Sequence, residues 1–204
     1  QPIVLLALNW AKAFDSIDPS CLIHALDRFA LPRHFLRCIE AIYSHRRFYV
    51  QDGSFQSEMH NQHFGISQGC PLSPFLFTIV MTVLLTDANH MLAVDMEKSL
   101  SDDIICNDLV YADDTLLIEI AGENLKDYMH CIAECGKQYG LSLNWTKVEQ
   151  MAVQCEAACI TDPHGQAIQS KSSLKYLGAQ LAANGQVESE VLRKIGIAAS
   201  DFRT

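Results

Sequence analysis

Two adjacent carboxylates, Asp113 and Asp114, stand between the apolar runs Leu109-Val110-Tyr111 and Thr115-Leu116-Leu117-Ile118. Runs of that composition suit buried strands, so the acidic pair falls where a tight turn between them would expose it. Side-by-side carboxylates on a rigid turn can hold Mg²⁺, a hard cation that takes oxygen ligands and keeps several waters for substrate phosphates. The same dipeptide also occurs in turns that bind nothing, because Asp bonds its own backbone readily. The chemistry depends on what the rest of the chain brings to this hairpin.

The elements that would position it alternate in type. Residues 3–8 form a strand, Pro19 starts a helix over 20–29, and a second helix follows Pro32 to about Ser44. Arg47–Val50 and Ser54–Phe64 pair around the turn Gln51-Asp52-Gly53. A long helix covers about Phe75–Leu92, an acidic polar insert at about 95–108 forms a loop, and the Asp-Asp hairpin follows it. Asn124–Tyr139 is a helix closed by Gly140, with strands near 141–143 and 148–153. The order predicts an α+β fold in one domain over 1–204. Its sheet is mostly antiparallel, with helices packed on one face and the other open enough to cradle a duplex.

The chain has 204 residues, 49% of them hydrophobic, enough to bury a core. Its formal charge of −9 argues against a strongly nucleic-acid-binding surface. Arg33, Arg37, Arg46 and Arg47, with His34 and His45, still concentrate positive charge locally, as a basic stripe or as a solvated helix face. Eight cysteines without a secretory leader suggest reduced thiols and an intracellular protein, nuclear or cytoplasmic rather than secreted. Cys131 and Cys135 suit the buried face of a helix better than a zinc site, and His60 and His63 suit surface or hydrogen-bonded positions. The longest apolar run, Phe75–Leu85, falls short of a bilayer span, so no membrane partner is expected. The start at Gln1 suggests a segment of a longer polypeptide.

The stretch Phe64-Gly65-Ile66-Ser67-Gln68-Gly69-Cys70-Pro71-Leu72-Ser73-Pro74-Phe75-Leu76-Phe77 resembles the reverse transcriptases of non-LTR (LINE-type) retrotransposons. The resemblance covers nearly the whole chain in the family's order. It looks like palm motif A at Leu8–Asp15, B at Gly65–Phe77, C at Tyr111–Asp114, D at Gly140–Glu149 and E at Leu174–Gly178. It implies a right-hand polymerase palm with fingers and thumb largely missing. It also implies nucleotidyl transfer with Mg²⁺, or Mn²⁺ in its place, acting on an RNA template, a DNA primer and deoxynucleoside triphosphates. The fingers, the thumb and an endonuclease would belong to the parent polypeptide. By the same resemblance Asp113 and Asp114 would be metal-binding and catalytic, Asp113 as the leading ligand and Asp114 as the neighbouring motif C aspartate with a less direct role. Gly65, Ser67, Gln68 and Gly69 would contact template and nucleotide, and Phe14 would exclude ribonucleotides. Lys147 would assist the departing pyrophosphate, while Lys175, Tyr176, Leu177 and Gly178 would grip the primer end.

One position departs from the family. Where its members carry the first metal-binding aspartate, directly after the motif A strand, this chain has Asn9, within Leu8-Asn9-Trp10-Ala11-Lys12-Ala13-Phe14-Asp15. Asparagine keeps a carbonyl oxygen and loses the charge. A unit charge about 4 Å away is worth up to roughly 4 kcal/mol at an effective dielectric near 20. Each ~1.4 kcal/mol is a decade in rate, so a loss of about a thousandfold follows. Asp15 lies beyond the strand's end and cannot substitute. The expectation is a polymerase fold with an impaired metal centre, or alternatively a non-catalytic nucleic-acid- or protein-binding remnant of a palm.

Overall fold

The structure, a computed structural model, describes residues 2–95, 107–120 and 124–202. In chain order the elements are β1 (Ile3–Leu8), α1 (Ala13–Ser16), α2 (Pro19–Arg28), α3 (Arg33–Tyr43), β2 (Arg47–Phe48), β3 (Gln51–Asp52), β4 (Phe55–Gln56), β5 (His60–Asn61) and α4 (Ser73–Asp95). They continue with β6 (Asn107–Tyr111), β7 (Asp114–Ile120), α5 (Leu125–Lys137), a 3₁₀ turn (Trp145–Lys147), β8 (Glu149–Val153), β9 (Gln169–Ser170), β10 (Ser173–Tyr176), β11 (Ala179–Ala182) and α6 (Glu188–Asp201). This is an α+β fold. By internal contacts it divides into two compact units, one of residues 1–10, 101–130 and 143–204, the other of 11–100 and 131–142.

The first unit holds a five-stranded sheet in the order β6-β7-β1-β8-β9. Every pairing in it is antiparallel except β8 with β9. The central β1 reads Ile-Val-Leu-Leu-Ala-Leu, apolar at every position, because it is hydrogen-bonded on both edges. Val4, Leu6 and Leu8 are buried and the alternate residues are half covered. At the far end of β7 the buried carboxylate of Glu119 accepts from the backbone amides of Asn124 and Leu125, at 2.9 and 3.1 Å. An acid placed there satisfies amides that the first turn of α5 leaves open.

The second unit is mainly helical. Pro19 opens α2 behind Asp18, whose side chain accepts from the amide of Ser20 at 2.7 Å, and α2 packs against both α3 and α4. The end of α5 is closed by Gly140 at φ +78°, with the amide of Leu141 donating to the carbonyl of Gly136 at 2.9 Å. A side chain at Gly140 would meet the carbonyl oxygen of Ser16 at 2.6 Å, so both its conformation and its space require glycine.

Three features differ from the sequence expectations, and one expectation is not tested. The Arg47–Phe64 segment forms two short ladders, β2 with β5 and β3 with β4, and its tight turn sits at Gly53-Ser54. The insert expected at 95–108 falls largely outside the described residues. Neither the parallel strand β9 nor α6 was expected. Finally, α4 contains within Ser73–Val94 an 18-residue stretch of mean hydropathy 1.5, long and apolar enough by composition to cross a membrane, which the interruption of its apolar run by threonines, Asp87 and Asn89 concealed. Half of that span is buried within the protein. Thr78, Thr82 and Thr86 turn their hydroxyls back to carbonyls four residues earlier, and Asp87 pairs with Arg28, as suits a core helix.

Candidate active site

In the first unit the geometry around Asn9 is set by its neighbours. Leu8 pairs with Thr115 across β1 and β7, and extending that register by one residue sets Asn9 opposite Asp114. Trp10 is buried and its Nε1 donates to Thr115 Oγ1 at 3.2 Å, which assigns Trp10 to the face of Leu8 and Asn9 to the other. The carbonyl of Asn9 accepts from the amide of Asn144 at 2.7 Å, and Trp10 bridges to Leu143. The backbone and Trp10, rather than the Asn9 side chain, therefore hold this position.

Asn9 and Asp114 line one cavity of ≈310 Å³ together with Lys147, Thr146, Lys175 and Tyr176. Candidates from motifs A, C, D and E thus share a single concavity within this unit. Tyr111 pairs with Asp114, and the turn between them places Ala112 at φ +54°, a left-handed conformation that a side chain ordinarily avoids. Asp113 stands exposed in this turn and is absent from the cavity lining. Burial, and then the charge of Asp113, push the Asp114 carboxyl above the usual carboxylate range. The Tyr176 hydroxyl donates to the carbonyl of Leu109 at 2.9 Å, tying the β10–β11 hairpin to β6, and its pKa is raised by burial and then by Asp114. Leu177 and Gly178 form the tip of that hairpin at φ +47° and +75°, and Arg193 of α6 donates to the Gly178 carbonyl at 2.6 Å.

The second unit holds the motif B candidates. Gly65, at φ +88°, is buried with its amide donating to the carbonyl of Ile17 at 2.7 Å, while Ile66 donates to the carbonyl of Phe14 at 2.6 Å. A Cβ on Gly65 would lie 2.9 Å from the Cα and the carbonyl oxygen of Asp15. The close approach that requires glycine here is to the α1 segment. Ser67 accepts from Arg46 Nη1 at 3.2 Å, and its carbonyl accepts from Ser73 at the start of α4 at 2.6 Å. Gln68 donates to the Asp15 carboxylate at 3.3 Å, and Gly69, at φ +82°, faces open space. Phe14 is half-buried and stacks on Phe77 with centroids 4.5 Å apart and planes 17° from parallel. Arg33 and Arg37 share a separate cleft with Asp27 and Glu40, so those arginines lie among acids rather than in an uninterrupted basic stripe.

Sequence reasoning gave no site role to Trp10, Thr146 or Arg193, and it read Arg46 only as one member of a basic cluster. Trp10 was visible as the only aromatic beside Asn9; the other three act through backbone groups or lining positions that no local pattern marks. Carboxylates and an amide are hard oxygen donors and suit Mg²⁺ or Mn²⁺, and a cation would relieve the repulsion between Asp113 and Asp114. Among the described residues no three His, Cys, Asp or Glu side chains gather, so the site offers one charge fewer than an aspartate at position 9 would give.

A palm-like α+β sheet with a strand-end polar residue facing an Asp-Asp hairpin defines a class of nucleotidyl-transfer scaffold. Residues 1–181 match the family described as reverse transcriptase (RNA-dependent DNA polymerase), and the chain belongs to that family. It is similar, at 23% identity over 93% of its length, to the retrovirus-related Pol polyprotein from type-2 retrotransposable element R2DM of Drosophila melanogaster, of which it covers 18%. It is 27% identical over 74% of its length to the Pol polyprotein from the type-1 element of Nasonia vitripennis, covering 14% of that protein. A transposon TX1 protein of Xenopus laevis is 25% identical over 89% of the chain, which covers 14% of it. These relatives bear out the resemblance to non-LTR retrotransposon reverse transcriptases, and the chain spans about a fifth of their length or less. Among solved structures, telomerase from Candida albicans, in complex with a fragment of telomeric RNA, superposes with a TM-score of 0.58 at 15% identity, over 88% of this chain and 29% of that one. Apo telomerase from Candida tropicalis gives 0.56 at 12% identity, over 89% and 31%. Likeness at that identity bears on the fold alone, which is that of a polymerase palm.

Proposed function

We propose that the chain is the palm-centred part of an RNA-directed DNA polymerase of retrotransposon origin, acting inside cells, whose nucleotidyl-transfer centre is impaired by Asn9. The observation that carries this reading is the cavity shared by Asn9, Asp114, Lys147 and Lys175. When bound, Mg²⁺ would supply charge neutralisation at the primer hydroxyl and the triphosphate. Asp114 and Asp113 would hold it, and the Asn9 amide would add an oxygen without adding charge. Lys147 would stand where a proton or a positive charge can meet the leaving pyrophosphate. Tyr176, anchored on Leu109, and Lys175 would present the β10–β11 hairpin to the primer strand. Within the second unit, Phe14, backed by Phe77, and the loop from Gly65 to Gly69 keep the sugar-excluding and template-contacting roles that the resemblance assigns them.

The test is primer extension on an RNA template with Mg²⁺ and deoxynucleotides, with the chain joined to the fingers and thumb of a relative, in its own form and as Asn9→Asp. Activity confined to Asn9→Asp, about a thousandfold above the parent, supports the reading. Equal activity in both removes the claim of impairment. Silence in both, with template-primer affinity that survives Asp113→Ala and needs no Mg²⁺, replaces the polymerase by a binding module.

A further inference from the structure

The second unit contains a cavity of ≈290 Å³ lined by Tyr43, His45, Arg46, Arg47, Asn61, Gln62 and His63. It has two guanidinium groups and no carboxylate in its lining, in a chain of net charge −9. The Arg46 side chain is fixed: Nη1 donates to Ser67 Oγ, Nη2 donates to the carbonyls of Gly65 at 2.6 Å and Phe64 at 3.3 Å, and the guanidinium lies 4.5 Å from the centre of the Tyr43 ring. All of these partners are neutral. Arg46 Nε is buried without a hydrogen-bond partner, and burial pushes the guanidinium pKa down. Arg28 and Arg193, by contrast, are matched by Asp87 and Glu190. Among the described residues, neither Arg46 nor Arg47 forms an ion pair. A partly buried charge without a counter-charge is costly, and an anion entering the cavity would remove that cost.

We propose that this cavity is a phosphate-binding site, with Arg47, His45, His63 and the side-chain amides of Asn61 and Gln62 as donors in front of the fixed charge of Arg46. Arginine suits phosphate because its planar fork matches two oxygens at once. The phosphate comes from a polynucleotide strand or from the tail of a free nucleotide. The exposed rings of Phe48, which follows Arg47 in β2, and of Tyr49 offer stacking surfaces for successive bases and favour the strand. Because Arg46 also holds the carbonyls of Phe64 and Gly65, an occupant would lie one side chain away from the motif B loop.

The experiment uses the full chain without Mg²⁺, so it is independent of catalysis and of Asn9. Binding of a fluorescein-labelled oligouridylate is followed by anisotropy across a salt titration, for the parent, Arg47→Gln, Arg47→Lys and Arg37→Gln. The last makes the same charge change on α3, in the cleft that holds Asp27 and Glu40. Arg47→Gln is expected to weaken binding several-fold and to make the slope of log K against log salt shallower by about 0.7, one single-strand phosphate contact. Arg47→Lys should keep the slope and Arg37→Gln should leave it unchanged. Competition by tripolyphosphate and by a deoxynucleoside triphosphate identifies the source. Displacement at low concentration indicates a nucleotide tail, and displacement only at high concentration indicates the strand backbone. Equal slopes for Arg47→Gln, Arg37→Gln and the parent, or no competition by either phosphate probe, would overturn the proposal. Far-ultraviolet circular dichroism melts check each variant's fold; if Arg47→Gln melts early, Arg47→Lys carries the comparison through affinity, which should fall several-fold at an unchanged slope because the two-oxygen fork is lost, and an unchanged affinity would overturn the proposal.

Discussion

Replacing Asn9 by aspartate should make the protein less stable without divalent cation and more responsive to it. The register places position 9 opposite Asp114, and directly opposed residues on antiparallel strands have Cβ atoms about 4.5–5.5 Å apart. Two carboxylates about 5 Å apart repel by roughly 3 kcal/mol at an effective dielectric of 20 and by about 0.8 kcal/mol in bulk water. Asp114 is exposed, so solvent screening favours the lower end, about 1 kcal/mol. In a chain of this size that corresponds to a fall of about 2–4 °C in Tm. Mg²⁺ at about a hundred times its Kd would add back roughly 2.7 kcal/mol, reversing the sign of the change. The assay is thermal denaturation of both forms in EDTA and across a Mg²⁺ series. If Asn9→Asp melts with the parent in EDTA and gains no more from Mg²⁺, the side chains at 9 and 114 do not share a cation site, and the reasoning that links Asn9 to an impaired centre fails.

Gly65→Ala should cost at least about 1–2 kcal/mol from its left-handed backbone alone, before the clash with Asp15, measured by urea denaturation. An unchanged midpoint would show that the loop is free to move. Asp87 accepts from both terminal nitrogens of Arg28 and from the Tyr139 hydroxyl, and Arg28 holds its carboxyl below the usual carboxylate range. Its folded pKa is depressed, so its stabilisation is full above about pH 4 and is lost as pH falls through the lowered value. Asp87→Asn should therefore destabilise at pH 7 by about 1–2 kcal/mol, screened because Arg28 is partly exposed, and should flatten the acid limb of a stability-versus-pH curve. Leu177→Asn should raise stability by about 1 kcal/mol, since asparagine tolerates the left-handed tip of β10–β11. It should also weaken primer-template binding if the exposed leucine touches the duplex, as a filter-binding titration would show.

The parts of the fold legible in the sequence were those set by local periodicity and punctuation. Pro19 behind Asp18, Pro32 before α3 and Gly140 after α5 each mark an end through backbone chemistry that acts within a few residues. The Asp-Asp hairpin was legible because apolar runs flank it. What was hidden depends on partners distant in sequence. Strand β9 joins the sheet beside β8 with only two residues, too few for any alternation to register. The long helix α4 was expected, but its span-like apolar composition was concealed by threonines whose hydroxyls are satisfied within the helix itself. At the site, the resemblance ranked Asp113 first as a metal ligand and gave Asp114 a less direct role, whereas the cavity with Asn9 is lined by Asp114 and not by Asp113. Asp114 is the first residue of β7, paired with Tyr111, so the sheet fixes its direction, whereas Asp113 stands in the turn before the strand begins.

The contacts that hold the site together explain how a ligand position can change its chemistry while the scaffold persists. Asn9 contributes its backbone carbonyl to Asn144, Trp10 contributes the buried ring and the bond to Thr115, and Tyr176 ties its hairpin to Leu109. None of these uses the Asn9 side chain. Exchange of a carboxylate for an amide at this position therefore removes charge from the cavity without removing a structural bond, and it also removes repulsion from Asp114. Selection for stability alone would favour the amide, whereas selection for two-ion chemistry would favour the acid. On the proposed function, asparagine in this β1, β7 and β10–β11 framework is the arrangement that keeps the fold's bonds while lowering the charge offered to a cation.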